Sequence, residues 1–200
     1  MQIDRPRLLV GSLAVAVVAV GVFAVTQVGS DDQPEPDAIL EDSQDRTIPE
    51  DVSEIATNAE MAGEPLPEAV VVDAEGAEVS TQSFLGTPTV INFWFSTCIP
   101  CERELPDFAE VDAEVGDDVR FIGINTIDPA PVMERFASER GVEYELFQDS
   151  FAEFQEGAGI AAFPHTLFVT SDGEIVDQTG VIDADGLREK VAELQEMESR

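Results

Sequence analysis

Hydrophobic and polar positions divide the chain into three stretches. Leu8 to Val28 runs for 21 residues without a charge, mostly Val, Ala, Leu and Gly. As a helix it reaches about 32 Å, enough for the hydrocarbon core of a bilayer. Gly29 to Glu60 is the reverse, with eleven acidic residues, one Arg, and Pro34, Pro36 and Pro49. It has too little apolar surface to offset the entropy of ordering, so 29–61 predicts an acidic linker, in which Asp51 to Met61 can form a short helix. In residues 62–200 apolar runs recur at strand and helix periods, which predicts one folded domain.

Within that domain Ala69 to Val72 and Ala77 to Val79 predict a β-hairpin around Asp73-Ala74-Glu75-Gly76, and Ser80 to Gly86 a helical turn. Val90 to Phe95 is almost wholly apolar and rich in β-branched and aromatic residues, the pattern of a strand buried on both faces. Ile99 to Val115 predicts a helix with Leu105, Phe108 and Val111 inward and a kink at Pro106, which removes a backbone bond. Val119 to Asn125 is a second apolar strand. Pro131 to Arg140 is a helix with Val132, Phe136 and Ala137 inward. Tyr144 to Phe147 is a short strand, and Phe151 to Gly157 a helical segment carrying the apolar Phe151 and Phe154. Thr166 to Thr170 and Glu174 to Thr179 are strands joined by a Ser171-Asp172-Gly173 turn. Asp183 or Asp185 caps a last helix with Leu187, Val191 and Leu194 on one side. The alternation predicts an α/β domain, a mixed sheet flanked by helices.

The two cysteines of the chain, Cys98 and Cys101, stand three apart where the buried strand gives way to the helix. That spacing allows a disulfide in the first helical turn. There the unpaired N–H groups and the helix dipole stabilise a thiolate. Pro100 lies early enough to need no hydrogen bond of its own. Cys98, nearer the helix end, is the expected attacking thiol, and Cys101 the resolving one. A structural disulfide over so short a loop would add little stability. A zinc site needs about four ligands, against two Cys and one His in the chain. Glu104 lies one turn beyond Cys101, where a carboxylate can reach towards the sulfurs and move a proton; a solvated surface Glu is the competing reading.

Asn92-Phe93-Trp94, Cys98-Ile99-Pro100-Cys101, Glu104-Leu105-Pro106, Phe163-Pro164 and Thr166-Leu167-Phe168-Val169 together resemble the thioredoxin-like superfamily. Within it they resemble the membrane-anchored TlpA/ResA-type thiol–disulfide oxidoreductases, over roughly 62–197. The resemblance implies a thioredoxin-like fold with an N-terminal β-hairpin extension, and a cis Pro164 packed beside the dithiol. It also implies a Glu104 that tunes the dithiol, and chemistry without a bound cofactor. Its partners would be protein disulfide or dithiol substrates, with reductant duty such as apocytochrome c maturation, and a membrane-embedded electron donor. Asn92 falls where thioredoxin has a buried acid, so that relay is absent here. Thr97 replaces the Trp usual before the first Cys. His165, the one histidine, opens an alternative: a thioredoxin-fold copper-delivery protein that binds through Cys98, Cys101 and His165. A redox-silent binding module is a third reading.

Charge and flanks decide the setting. With 42 acidic against 10 basic residues the net charge is −32, which excludes nucleic acid as a partner. Such a surface suits a very salty medium that screens its self-repulsion. Arg5 and Arg7 precede the apolar stretch, and Asp31 and Asp32 follow it. Residues 1–28 are therefore expected to be a single-pass anchor with the domain extracytoplasmic, where disulfides persist. A signal peptide cut near Val22-Phe23-Ala24 is the rival and gives the same compartment.

Overall fold

The computed structural model describes residues 57–199. The expected anchor and most of the expected linker lie outside these residues. Among the described residues no helix is long and apolar enough to cross a membrane.

Among the described residues seven strands form one mixed sheet in the order β2-β1-β5-β4-β3-β6-β7. They are β1 (Val70–Val72), β2 (Glu78–Ser80), β3 (Thr89–Trp94), β4 (Arg120–Asn125), β5 (Glu145–Gln148), β6 (His165–Val169) and β7 (Ile175–Thr179). Every residue of β3 is buried, as its almost wholly apolar run implies, with Asn92 the polar residue in its middle. Its neighbours are β4, parallel with Asn92 opposite Gly123, and β6, antiparallel with Asn92 opposite Thr166. The hairpin β1–β2 joins the other edge through β5.

Among the described residues four α-helices cover the sheet: α1 (Ile99–Val115), α2 (Ala130–Ser138), α3 (Glu153–Gly157) and α4 (Ala184–Glu198). Alternation along the strands sorts them. Val90, Phe121 and Phe168 meet Phe108 and Val111 of α1 and Leu187, Val191 and Leu194 of α4. Trp94 and Leu105 meet Met133 and Ala137 of α2 on that same face. Ile91, Phe93, Ile122, Ile124 and Leu167 look the other way and pack with Phe84 and with Phe154 of α3. Asp183 caps α4 by accepting a bond from the Gly186 N–H at 2.9 Å. Helix α1 runs through Pro106 without a break.

Two expectations are corrected. In α2 the buried positions are Met133 and Ala137 rather than Val132, because the helix starts at Ala130 and a spacing of four then faces the sheet. Phe151 is 82% exposed. Ala152 takes a left-handed φ of 56°, so α3 begins only at Glu153 and Phe154 alone enters the core. Contacts with the domain body also start at Asn58, whose side chain bonds Ala161, Ala162 and His165.

Among the described residues, four of the six cations form ion pairs. Arg188 ties α4 to α1 through Glu110 and Glu114, while Arg120 pairs with Glu145, Arg140 with Glu102, and Lys190 with Asp177. Such surface pairs contribute little each. The remaining carboxylates repel one another unless salt screens them. Raising salt from about 0.1 M to about 1 M shortens the screening length from roughly 10 Å to roughly 3 Å. We expect the melting temperature to climb by several degrees across that range in calorimetry. A salt-independent value would remove the case for a saline habitat.

Candidate dithiol–disulfide site

Strand β3 delivers the chain to the helix through Phe95, Ser96 and Thr97. Cys98 is the N-cap of α1: its Sγ accepts from the Cys101 N–H at 3.3 Å, and its own N–H bonds the Phe95 carbonyl at 3.1 Å. Cys98 and Cys101 form a disulfide. Cys98 keeps 7% of its surface exposed and Cys101 none, so of the two cysteines Cys98 alone offers surface to a partner. Thr97, immediately before Cys98, is exposed. Ile99, 62% exposed, and Val181, 65% exposed, add apolar surface nearby.

The turn before Cys98 is held from β4. Asp128 accepts from the Ser96 N–H at 2.7 Å and from the Ser96 hydroxyl at 2.6 Å. Asn125 donates to the same carboxylate at 2.8 Å. Burial pushes the Asp128 carboxyl up, but these bonds outweigh it and leave it below its ordinary value. Sequence reasoning missed Ser96, Asn125 and Asp128. The available signal was their position at the carboxyl ends of two adjacent parallel strands, where α/β sites gather.

Glu104 is buried, not solvated, with 2% exposure. Asn92 Nδ2 donates to its Oε1 at 2.9 Å, and the Ile182 N–H approaches Oε2 at 3.5 Å. Asn92 also donates to Thr166 Oγ1 at 3.1 Å. Burial raises the carboxyl, the Asn92 and Ile182 bonds lower it in part, and Asp107 raises it further, to about 7. Asn92 cannot titrate, yet it positions the group that does.

The Phe163–Pro164 bond is cis, as the resemblance implied. Phe163 meets Phe95 edge-on at 5.2 Å and packs against the cluster of Trp94, Cys98, Cys101 and Leu105. The loop that ends in Pro164 is thereby joined to the turn that ends in Cys98. Trp94 is core, fully buried and stacked on Phe136 at 5.8 Å.

His165 does not join them. Thr166 faces Asn92 and Glu104, so His165, one residue earlier on β6, faces the opposite side of the sheet. Its Nδ1 lies 2.8 Å from Asn58 Nδ2. Burial holds the imidazole below its ordinary value, with Glu60 opposing. Among the described residues no group of three or more His, Cys, Asp or Glu is arranged to hold a metal. The copper-delivery alternative therefore loses its third ligand.

Known proteins agree with this geometry. The chain is 30% identical over 116 residues to the thiol–disulfide oxidoreductase ResA of Halalkalibacterium halodurans, which covers 58% of this chain and 66% of the relative, just under two thirds of its length. It is 29% identical over 120 residues to the sporulation thiol–disulfide oxidoreductase A of Bacillus subtilis, covering 58% and 72%. A secreted Mycobacterium tuberculosis disulfide oxidoreductase homologous to Escherichia coli DsbE superposes with a TM-score of 0.57 at 25% identity, over 63% of this chain and 96% of that one. The domain is a thioredoxin-like thiol–disulfide oxidoreductase. The Redoxin family pattern matches residues 61–196, and the chain belongs to the Redoxin family, with ResA-type enzymes among its relatives.

Proposed function

We propose that the protein is a membrane-anchored, extracytoplasmic reductant of disulfides in partner proteins. The carrying observation is the Cys98–Cys101 disulfide at the head of α1, with one sulfur reachable and a buried carboxyl one turn below. In the reduced enzyme the Cys98 thiolate attacks a partner disulfide. One partner sulfur leaves as a thiolate and takes a proton, and a mixed disulfide forms. Cys101 then gives its proton to Glu104 and attacks Cys98 Sγ. The second partner sulfur departs, leaving the partner dithiol and the Cys98–Cys101 disulfide. The loop at Pro164 lines the groove in which the partner lies. Two electrons from a membrane dithiol donor return the enzyme to its reduced form. The ResA-type relatives support the chemistry, and the uncharged Leu8–Val28 stretch behind two arginines supports the anchor. The cysteines of an apocytochrome c, which must be reduced before haem attachment, are a fitting substrate.

The reduction potential of the full chain, equilibrated in detergent and high salt against dithiothreitol or glutathione buffers, tests the direction. We expect a value near about −270 mV, the range of reductants of this fold. A value near about −120 mV would make the protein an oxidant. Absence of a two-electron transition would return the redox-silent reading.

A further inference from the structure

One side chain spans both sides of the cis bond. Asn58 Oδ1 accepts from the Ala161 N–H at 2.8 Å and the Ala162 N–H at 2.7 Å. Its Nδ2 donates to the Ala162 carbonyl at 3.1 Å and lies 2.8 Å from His165 Nδ1. Two backbone donors on Oδ1 fix which end of the amide is oxygen. Nδ2 can only donate, so His165 Nδ1 must accept, and the ring is the neutral Nε2–H tautomer. The residues that follow are bolted down as well. The Ala59 N–H bonds the Gly159 carbonyl at 2.8 Å, and Gln178 bonds both Met61 N–H and the Ala59 carbonyl. Gly159 has φ 61°, and a Cβ there would stand 2.4 Å from Ala59 Cβ, so the approach requires glycine.

We propose that Asn58 is a positioning residue of the partner groove: it fixes the Ala161–His165 loop from the domain end of the acidic linker. This rests on the reading that partners dock along the Pro164 loop. Phe163, inside the span that Asn58 clamps, touches Phe95 just ahead of Cys98. Released, the loop would have to be ordered again by each incoming partner, which costs affinity and not chemistry. The acidic segment is thus more than a spacer, because its last residues form the outer brace of the site.

The test uses the full chain in detergent at high salt, with insulin as the protein disulfide, dithiothreitol as donor, and oxidised glutathione as a small substrate. Asn58→Ala is expected to raise KM for insulin about fivefold to tenfold, as loss of several hydrogen bonds implies, with kcat, glutathione turnover and the reduction potential unchanged. Asn58→Asp adds a readout that a merely stabilising residue would not move. Its carboxylate still accepts from Ala161 and Ala162, but its second oxygen faces the Ala162 carbonyl and His165 Nδ1. Only a protonated His165 can then donate to it, and Glu60, the other charged group acting on the ring, favours that form too. The single imidazole should titrate above its ordinary value by NMR instead of below, and KM should recover on acidification. An unchanged insulin KM in Asn58→Ala, or a pH-independent KM in Asn58→Asp, overturns the proposal. Loss of wild-type turnover on both substrates instead sinks the proposed function, while the imidazole titration still reports on the clamp.

Discussion

Replacing Cys101 with serine is expected to turn the enzyme into a trap. Cys98 remains at the N-terminus of α1 with 7% of its surface exposed, so the first attack proceeds. The resolving sulfur is gone, and the mixed disulfide persists until an outside thiol cleaves it. Partner proteins should then accumulate on the variant in non-reducing gels, nearly one per molecule, and release with dithiothreitol. Cys98→Ser should trap nothing, and its exchange rate should fall by on the order of 10³ or more, because the two sulfurs act as a unit. Cys101 has no exposed surface and cannot substitute as the attacking group. Equal trapping by the two variants would reverse the assigned roles. Trapping by neither, in folded protein, would remove the exchange mechanism altogether.

The parts of the fold visible in the sequence were those dictated by local pattern. The nearly continuous apolar run at β3 and the heptad-like spacing of Leu187, Val191 and Leu194 leave little choice of element, and α1 falls at Ile99–Val115 as the pattern implies. Cys98 and Cys101 were legible for a related reason, since the chemistry needs them three apart at a strand-to-helix junction and they are so placed. The misses share a different cause. Phase in α2 turned on where the helix starts, a one-residue matter that put Met133 rather than Val132 inside. By pattern Phe151 belongs to the helical segment, but the left-handed Ala152 delays α3 to Glu153 and leaves Phe151 exposed. Asp128 and Asn58 act on residues 32 and more than 100 positions away, and no period in the sequence announces such a contact. Glu104 lay between the two classes. Its spacing from Cys101 pointed to the sulfurs, but only the packing of Asn92 and Ile182 around it decides that it is buried.

That burial gives Glu104→Gln the second large effect. With the carboxyl raised from 4.5 to about 7, the oxidised folded chain holds a proton that the unfolded chain has already released. The sign follows from linkage: between those values the native state binds more protons, so stability falls as pH rises from 4.5 through 7 and then levels. At 1.36 kcal/mol per unit this single group costs about 3 kcal/mol at pH 8. The other carboxylates impose their own slope, so the comparison must be between wild type and variant. Glu104→Gln should be the more stable of the two at pH 8 in urea titrations, with the difference shrinking towards pH 4.5. The rate should move the other way. If Glu104 is the acceptor of the Cys101 proton, as proposed, it works in its ionised form, so wild-type exchange should rise with pH through about 7. In the variant that inflection should vanish, and the rate at pH 8 should drop about 100-fold, the lower end for a lost general base. Insulin KM should stay constant, because Glu104 is buried beneath the site. A stability gain without the loss of rate would leave Glu104 a buried burden with no part in proton transfer, and would pass that task to solvent.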